Sequence, residues 1–386
     1  MKRSWPERPA REHMAIKVLY LHHVEQISGA ENSLRLFFRH LERNRVLPLF
    51  AGPPAGPFPD CLNQEGIPVF PVRFGPLRDL PGLARSARRV MKLIREHRID
   101  LLHANGPRTN ICAGLAGRLA GIPAVWHMRN LLYGGMWDVD RRLAGLASRI
   151  ICNSEAIRER FRGSKAWAKC VTILNAVDSQ EFSPEIPREP FRREQGIAPG
   201  ETAVGMVGRI GLGKGHAHFV EAAIQLLHAG AKAQFLIVGD TLFPEDAWRA
   251  DRLRQRVKEA GVGDRIRFTG FRRDVPLVLR GLDVLVLASD AEPCGRVLFE
   301  AMASGTAIVA TNSGGTPEIV RNSFDGLLVP PRDPQALARA IGRLIDDPSL
   351  RTTLGRTGLA RAREEFSIER HVAHTLEVYA ETLYRS

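Results

Sequence analysis

Short β-branched runs alternate with longer amphipathic stretches along nearly the whole chain, a rhythm that confines it to folds built from parallel βαβ units. In the first half the strand-like runs are Ile16–Leu21, Val46–Ala51, Ile67–Val72, Ile99–His103, Ala124–His127, Ile150–Cys152 and Val171–Leu174. Helical segments lie between them, among them Ser33–Arg43, Leu83–His97 and Asn110–Ala120. Prolines and charges crowd the stretch from Ser183 to Gly200, so residues 186–200 read as a linker. A second series follows, with runs at Ala203–Val207, Gln234–Val238, Arg265–Phe268, Val284–Leu287, Ala307–Ala310 and Gly326–Val329. Helices are expected from Pro334 and Pro348 and over Ser367–Tyr384. A chain of 386 residues exceeds the size at which one core stops growing. The reading is an α/β protein of two doubly wound parallel-sheet domains, 15–185 and 201–366, facing a central cleft where the strand C-termini bind ligands.

Composition narrows the partners. The formal net charge of +13 favours an anionic ligand: a nucleotide diphosphate, an acidic membrane surface or a nucleic acid. No groove-reading motif or aromatic stacking platform accompanies the charge, so nucleic acid is not expected. No apolar run approaches the roughly 18 residues needed to span a bilayer. Residues 1–14 are basic without an apolar core, and read as a disordered extension rather than a signal peptide, with Met14 an alternative start. A cytoplasmic protein is expected. Five cysteines without C-x-x-C spacing are expected as buried free thiols. The segment Arg73–Arg98 is basic and amphipathic, a pattern that suits either a domain helix or peripheral contact with anionic lipid.

The densest chemical signal is "EPCGRVLFE", Glu292 to Glu300, directly after the buried run "DVLVLAS". Pro293 and Gly295 prepare a helix start, and the amides near Gly295, Arg296 and Val297 then form an anion site aided by the helix dipole. A carboxylate accepts two hydrogen bonds, so Glu300 suits a vicinal diol such as a ribose, and Glu292 suits sugar hydroxyls. "GRIGLGKG" places Arg209 and Lys214 five apart in a glycine-rich turn, close enough to converge on one diphosphate. "ATNSGGTPEIV" sets Gly314 and Gly315 between another strand and helix.

These elements resemble the retaining glycosyltransferases of family 4, which have the GT-B fold of two Rossmann-like domains. The likeness runs from about Ile16 to the C-terminus and is strongest from Gly205 to Pro331. "SGAE", "WHMRN", "ICNSE", "ILNAVDSQEFSP" and "NSFDGLLVPPRD" fall in the family's order. The resemblance implies that Arg209 and Lys214 bind the donor diphosphate, Glu300 the ribose, and Glu292 the hydroxyls of the transferred sugar. Gly29 would bring first-domain backbone against the phosphates, and His127 would line the reaction centre by donating a hydrogen bond or positioning the sugar. The C-terminal helix, 367–386, would return to the first domain. The implied reaction moves a sugar from a UDP- or GDP-sugar to a glycan or lipid-linked acceptor, with retention and without a metal or other cofactor, in cell-envelope polysaccharide or glycolipid synthesis. Ser28 stands where a second glycine is usual, and Cys294 where an aromatic is common.

Rival readings fare worse. "GRIGLGKG" nearly spells a P-loop, but Gly215 occupies the position that needs a magnesium-binding hydroxyl. The first strand leads into "HHVEQISGAE", which lacks the glycine fingerprint of a dinucleotide enzyme. Asp138 and Asp140 in "DVD" invite a metal but are expected to open a helix. A non-catalytic sugar-nucleotide binder of the same fold remains the alternative, which a donor-hydrolysis assay separates.

Overall fold

The computed structural model describes residues 15–131, 138–242 and 244–384. The basic extension 1–14 and most of the loop "LLYGGMW", expected to shape an acceptor site, lie outside the described residues. The chain forms two units: one runs to Asn175 and resumes at Ile368, the other is Ala176–Ser367.

The first unit holds strands β1 Ile16–Leu21, β2 Val46–Gly52, β3 Val69–Pro71, β4 Leu101–Asn105, β5 Ala124–Met128, β6 Arg149–Cys152 and β7 Cys170–Thr172. They pair in the order β3-β2-β1-β4-β5-β6-β7, every pairing parallel. The second unit holds β8 Thr202–Val207, β9 Ala233–Val238, β10 Ile266–Gly270, β11 Val284–Leu287, β12 Ala307–Thr311 and β13 Leu327–Val329. Their order is β10-β9-β8-β11-β12-β13, again all parallel. Helices cover both faces of each sheet, so central strands such as β4, β5, β9, β11 and β12 are buried throughout. In each sheet the strand order reverses beside the first strand of the unit, between β1 and β4 and between β8 and β11. Doubly wound sheets bind ligands at that reversal.

Local chemistry explains the helix starts. Asp79, Asp333 and Asp347 each accept an amide hydrogen bond from three residues ahead, and a proline stands in each first turn. The helix expected over Ser33–Arg43 begins earlier, at Gly29–Arg39, because Ser28 provides its cap and Glu31 answers it. The helix Leu80–His97 lays Val90, Leu93 and Ile94 into the first unit's core, with Leu83 and Met91 packed against it. The apolar side considered for lipid contact is therefore occupied by the sheet, and the exposed residues include the cations Arg85, Arg88, Lys92 and Arg95 together with Glu96 and Leu80. Among the described residues, no helix is long and apolar enough to cross a membrane.

The segment 186–200, expected as a linker, is part of the second unit. It forms the helix Glu189–Glu194, buries Phe191 completely, and sends Arg188 and Arg192 onto Asp283 at 2.6 and 2.9 Å. Two of its arginines thus serve the packing of this unit. The C-terminal helix Ile368–Tyr384 groups with the first unit, where His371 bonds the Leu174 carbonyl and Tyr379 reaches Tyr20. All five cysteines are free thiols, four of them buried.

Candidate active site

In the second unit, the loop after β8 and the loop after β11 meet at the strand-order reversal. Gly215 ends the first loop with φ of 79°, and a Cβ there would lie 1.8 Å from the Ala288 carbonyl oxygen. Only glycine fits a left-handed conformation against that backbone. The amide of Asp290 donates to the Gly213 carbonyl at 2.9 Å, tying the loops together. Lys214 then extends to Glu292, with Nζ 2.8 Å from Oε2. Ser289 donates to the same oxygen at 3.0 Å. The Glu292 backbone is clamped from the next strand: the Gly315 amide donates to its carbonyl at 2.8 Å. Gly314, at φ of 57°, approaches so closely that a Cβ would sit 2.2 Å from the same oxygen. Lys214 and Glu292, 78 positions apart, thus share one point.

Gly295 precedes the helix Arg296–Ala303, whose start has no side-chain cap. Leaving its first amides uncapped keeps a positive dipole end available to an anion. Glu300 is buried in this helix and pairs with Arg296 one turn back. Burial pushes its carboxyl above the ordinary range, and Arg296 opposes that rise. Cys294 is buried beside Gly295 and Val297 is half-buried in the first turn. Arg209 is partly exposed, with Asp246 at 4.0 Å. The P-loop reading fails on geometry as well as identity, since the hydroxyl-bearing position is the crowded Gly215.

In the first unit, His22 follows β1 and Glu31 lies in the first turn of the next helix. His22 Nε2 stands 2.6 Å from Glu31 Oε1. Ser28 donates to Oε2 from its amide at 2.9 Å and from its hydroxyl at 2.6 Å. Serine at this position therefore adds a hydrogen bond to the turn. Gly29 has an ordinary backbone and a Cβ there would meet nothing within 4 Å, so no protein contact demands a glycine. Burial pushes the Glu31 carboxyl up, but His22 and Ser28 outweigh it and hold it at about 2. A depressed carboxyl stabilises the fold above its ordinary value of 4.5 and ceases to do so as pH falls toward 2. The contribution is roughly 3 kcal/mol. Urea midpoints at about pH 6 and about pH 3 should therefore differ by more in the native protein than in Glu31→Gln. An equal acid loss in both would place the acid sensitivity elsewhere.

His127 lies on β5 beside His103 on β4, and burial pushes both imidazoles down, His103 to about 3. Arg129 donates to His127 Nδ1 at 3.3 Å, to Asn105 at 3.1 Å and to Asn175 at 3.2 Å. His127 Nε2 is buried and has no hydrogen-bond partner among the described residues. Asp138 and Asp140, read as helix openers, do that: Asp138 accepts from the Arg141 amide, and both carboxylates bind Arg160.

Comparisons with known proteins give the family. The chain is 31% identical over 326 residues to the 2-deoxystreptamine glucosyltransferase of Streptomyces kanamyceticus, covering 82% of that protein and 78% of its own length. It belongs to the group 1, or family 4, glycosyltransferases. The family model "Glycosyl transferases group 1" matches residues 187–361, and "Glycosyltransferase Family 4" matches 27–181. A further relative is the Escherichia coli UDP-Gal:alpha-D-GlcNAc-diphosphoundecaprenol alpha-1,3-galactosyltransferase, 25% identical over 88% of this chain and 90% of that one. Anabaena HepE, crystallised with UDP-glucose, aligns at a TM-score of 0.81 and 28% identity over 94% of this chain and 99% of that one. The fold is GT-B, and the chain is a glycosyltransferase.

Several residues around the candidate site escaped sequence reading. Ser289, His22 and Glu31 sit within the quoted motifs' neighbourhoods but become partners only through the turns. His103, Asn105 and Tyr379 are brought to His127 by sheet order and by the C-terminal helix, which no local spacing reveals, whereas Arg129 lies two residues on in "WHMRN".

Proposed function

We propose that the protein is a retaining transferase that moves a sugar from a UDP- or GDP-sugar to a glycan or lipid-linked acceptor without a metal. The observation that carries the reading is the joining of Lys214 and Glu292 at the strand-order reversal of the second unit, beside the uncapped helix that holds Glu300. An arriving diphosphate exchanges with Glu292 as the partner of Lys214, and Glu292 turns to hydroxyls of the sugar. Arg209 and the amides of Gly295, Arg296 and Val297 add positive charge around the phosphates, beside Cys294. Glu300, buried and therefore poorly solvated, gains two good donors from a ribose diol. Gly29 is assigned to the phosphates and His127 to the sugar. HepE in complex with UDP-glucose and the UDP-Gal relative support a uridine donor.

The chemistry follows from charge. Cleavage of the anomeric C–O bond leaves negative charge on the diphosphate, which Lys214, Arg209 and the helix end stabilise. The acceptor oxygen bonds the anomeric carbon on the same face, and its proton passes to the departing phosphate oxygen. Envelope polysaccharide or glycolipid assembly is the setting that the E. coli relative's diphosphoundecaprenol acceptor supports. The exposed cations of the helix Leu80–His97 suit an anionic membrane surface by charge alone. Proton NMR of the product formed in EDTA tests the chemistry: an α-linked donor should give an α-linked product at an undiminished rate. A β-linked product overturns retention, and loss of turnover in EDTA overturns metal independence.

A further inference from the structure

A chain of hydrogen bonds runs through the first unit to His127, and one unambiguous donor sets its direction. A guanidinium can only donate, so the Arg129 contact makes His127 Nδ1 an acceptor. His103 Nε2, 3.1 Å from the same nitrogen, must then donate to it. Burial keeps both rings neutral, as their depressed pKa values show. A neutral ring carries one N–H, so His103 Nδ1 accepts, and the Tyr379 hydroxyl at 2.6 Å donates. Tyr379 has then spent its only proton, and Tyr20 donates to it at 3.0 Å. The order is Tyr20 to Tyr379 to His103 to His127, and the last free proton lies on His127 Nε2. That atom is the buried one without a partner among the described residues.

We propose that Arg129, together with Tyr379 acting through His103, holds His127 as its Nε2–H tautomer and so makes it a hydrogen-bond donor to the transferred sugar rather than a base. The identity of the ligand rests on the transferase reading above; the polarity of the chain does not. Tyr379 comes from the C-terminal helix and Tyr20 from β1, so both are positioning residues with no role in touching substrate. Their hydroxyls share one hydrogen bond but differ in position along the chain. Removing Tyr20's hydroxyl leaves Tyr379 donating to His103. Removing Tyr379's takes away the donor that holds His103 Nδ1 as an acceptor, and strands the Tyr20 proton.

The experiment has two readouts. In protein labelled with 15N-histidine, the His127 signals are identified by their loss in His127→Asn, and long-range proton correlation reports which ring nitrogen carries hydrogen. Nε2 should be protonated and Nδ1 bare in the native protein and in Tyr20→Phe, whereas Tyr379→Phe should show mixed tautomers at His103. In kinetics, Tyr379→Phe should lower kcat about tenfold with little change in KM, on the scale of a lost orienting partner. Tyr20→Phe should stay within about twofold of native in the same assay. A bare His127 Nε2, or equal kcat for the two phenylalanine variants, overturns the proposal. If the native protein turns over no nucleotide sugar, the transferase reading fails separately and the ring-nitrogen signals alone decide the chain's polarity.

Discussion

Lys214→Ala is expected to lower kcat by about 10²–10³, the effect of removing one preorganised donor to a developing oxyanion. The side chain is one-third exposed and makes a single ion pair, so the variant should fold. Glu292 keeps the Ser289 hydroxyl after the lysine is gone, which limits the stability loss. The loss should fall on kcat more than on KM, because the charge it stabilises is largest in the transition state. Steady-state kinetics and a thermal melt on the same preparation check both halves. A variant that melts natively and turns over at the native rate would remove Lys214 from the chemistry.

Gly215→Ala should be the most destabilising single-methyl change in the second unit. The residue has φ of 79°, and the new Cβ would stand 1.8 Å from the Ala288 carbonyl oxygen and 2.5 Å from its carbon. Backbone strain of this kind costs roughly 1–3 kcal/mol before the clash is counted. A total of about 3 kcal/mol would lower the melting temperature by about 6–12 °C for a unit of this size. Relief requires the loop after β8 to withdraw from β11, which carries Lys214 away from Glu292 and removes activity as well. Gly29→Ala is the contrasting control, because a Cβ there meets nothing within 4 Å. It should melt as the native protein does, so any loss of activity in it reports contact with a ligand.

The fold was legible because parallel strands buried on both faces are written as β-branched runs, and each run in the sequence corresponds to a strand. Proline after aspartate gave the starts at Pro334 and Pro348 directly. Boundaries were less legible where a cap lies outside the apolar pattern. The helix Gly29–Arg39 starts in "SGAE", which carries no hydrophobic period, and only the Ser28 and Glu31 hydrogen bonds reveal its first turn. The linker was misplaced for a related reason. Prolines and arginines read as solvated chain, yet Arg188 and Arg192 are neutralised by Asp283, about ninety residues away, and Phe191 is buried.

The site divides the same way. "EPCGRVLFE" and "GRIGLGKG" put forward Glu292, Glu300, Arg209 and Lys214 as candidates because the chemistry expected of them is local: a strand, a turn and a helix end. What spacing could not give was the pairing of Lys214 with Glu292, which depends on the strand order that sets β8 beside β11. The same is true of His127. Its neighbours His103 and Tyr379 are 24 and 252 positions away, and only the register of β4 on β5 and the return of the C-terminal helix bring them together.

The measurement that tests the central claim most directly is a donor screen by mass spectrometry. The native protein, Lys214→Ala and Glu300→Ala are incubated with UDP-, GDP- and ADP-sugars in the presence of membrane lipid extract. The account predicts that one nucleotide diphosphate is released by the native protein, and that its release is lost in both variants. Release that persists undiminished in both variants, or no binding and no release with any donor, would contradict it.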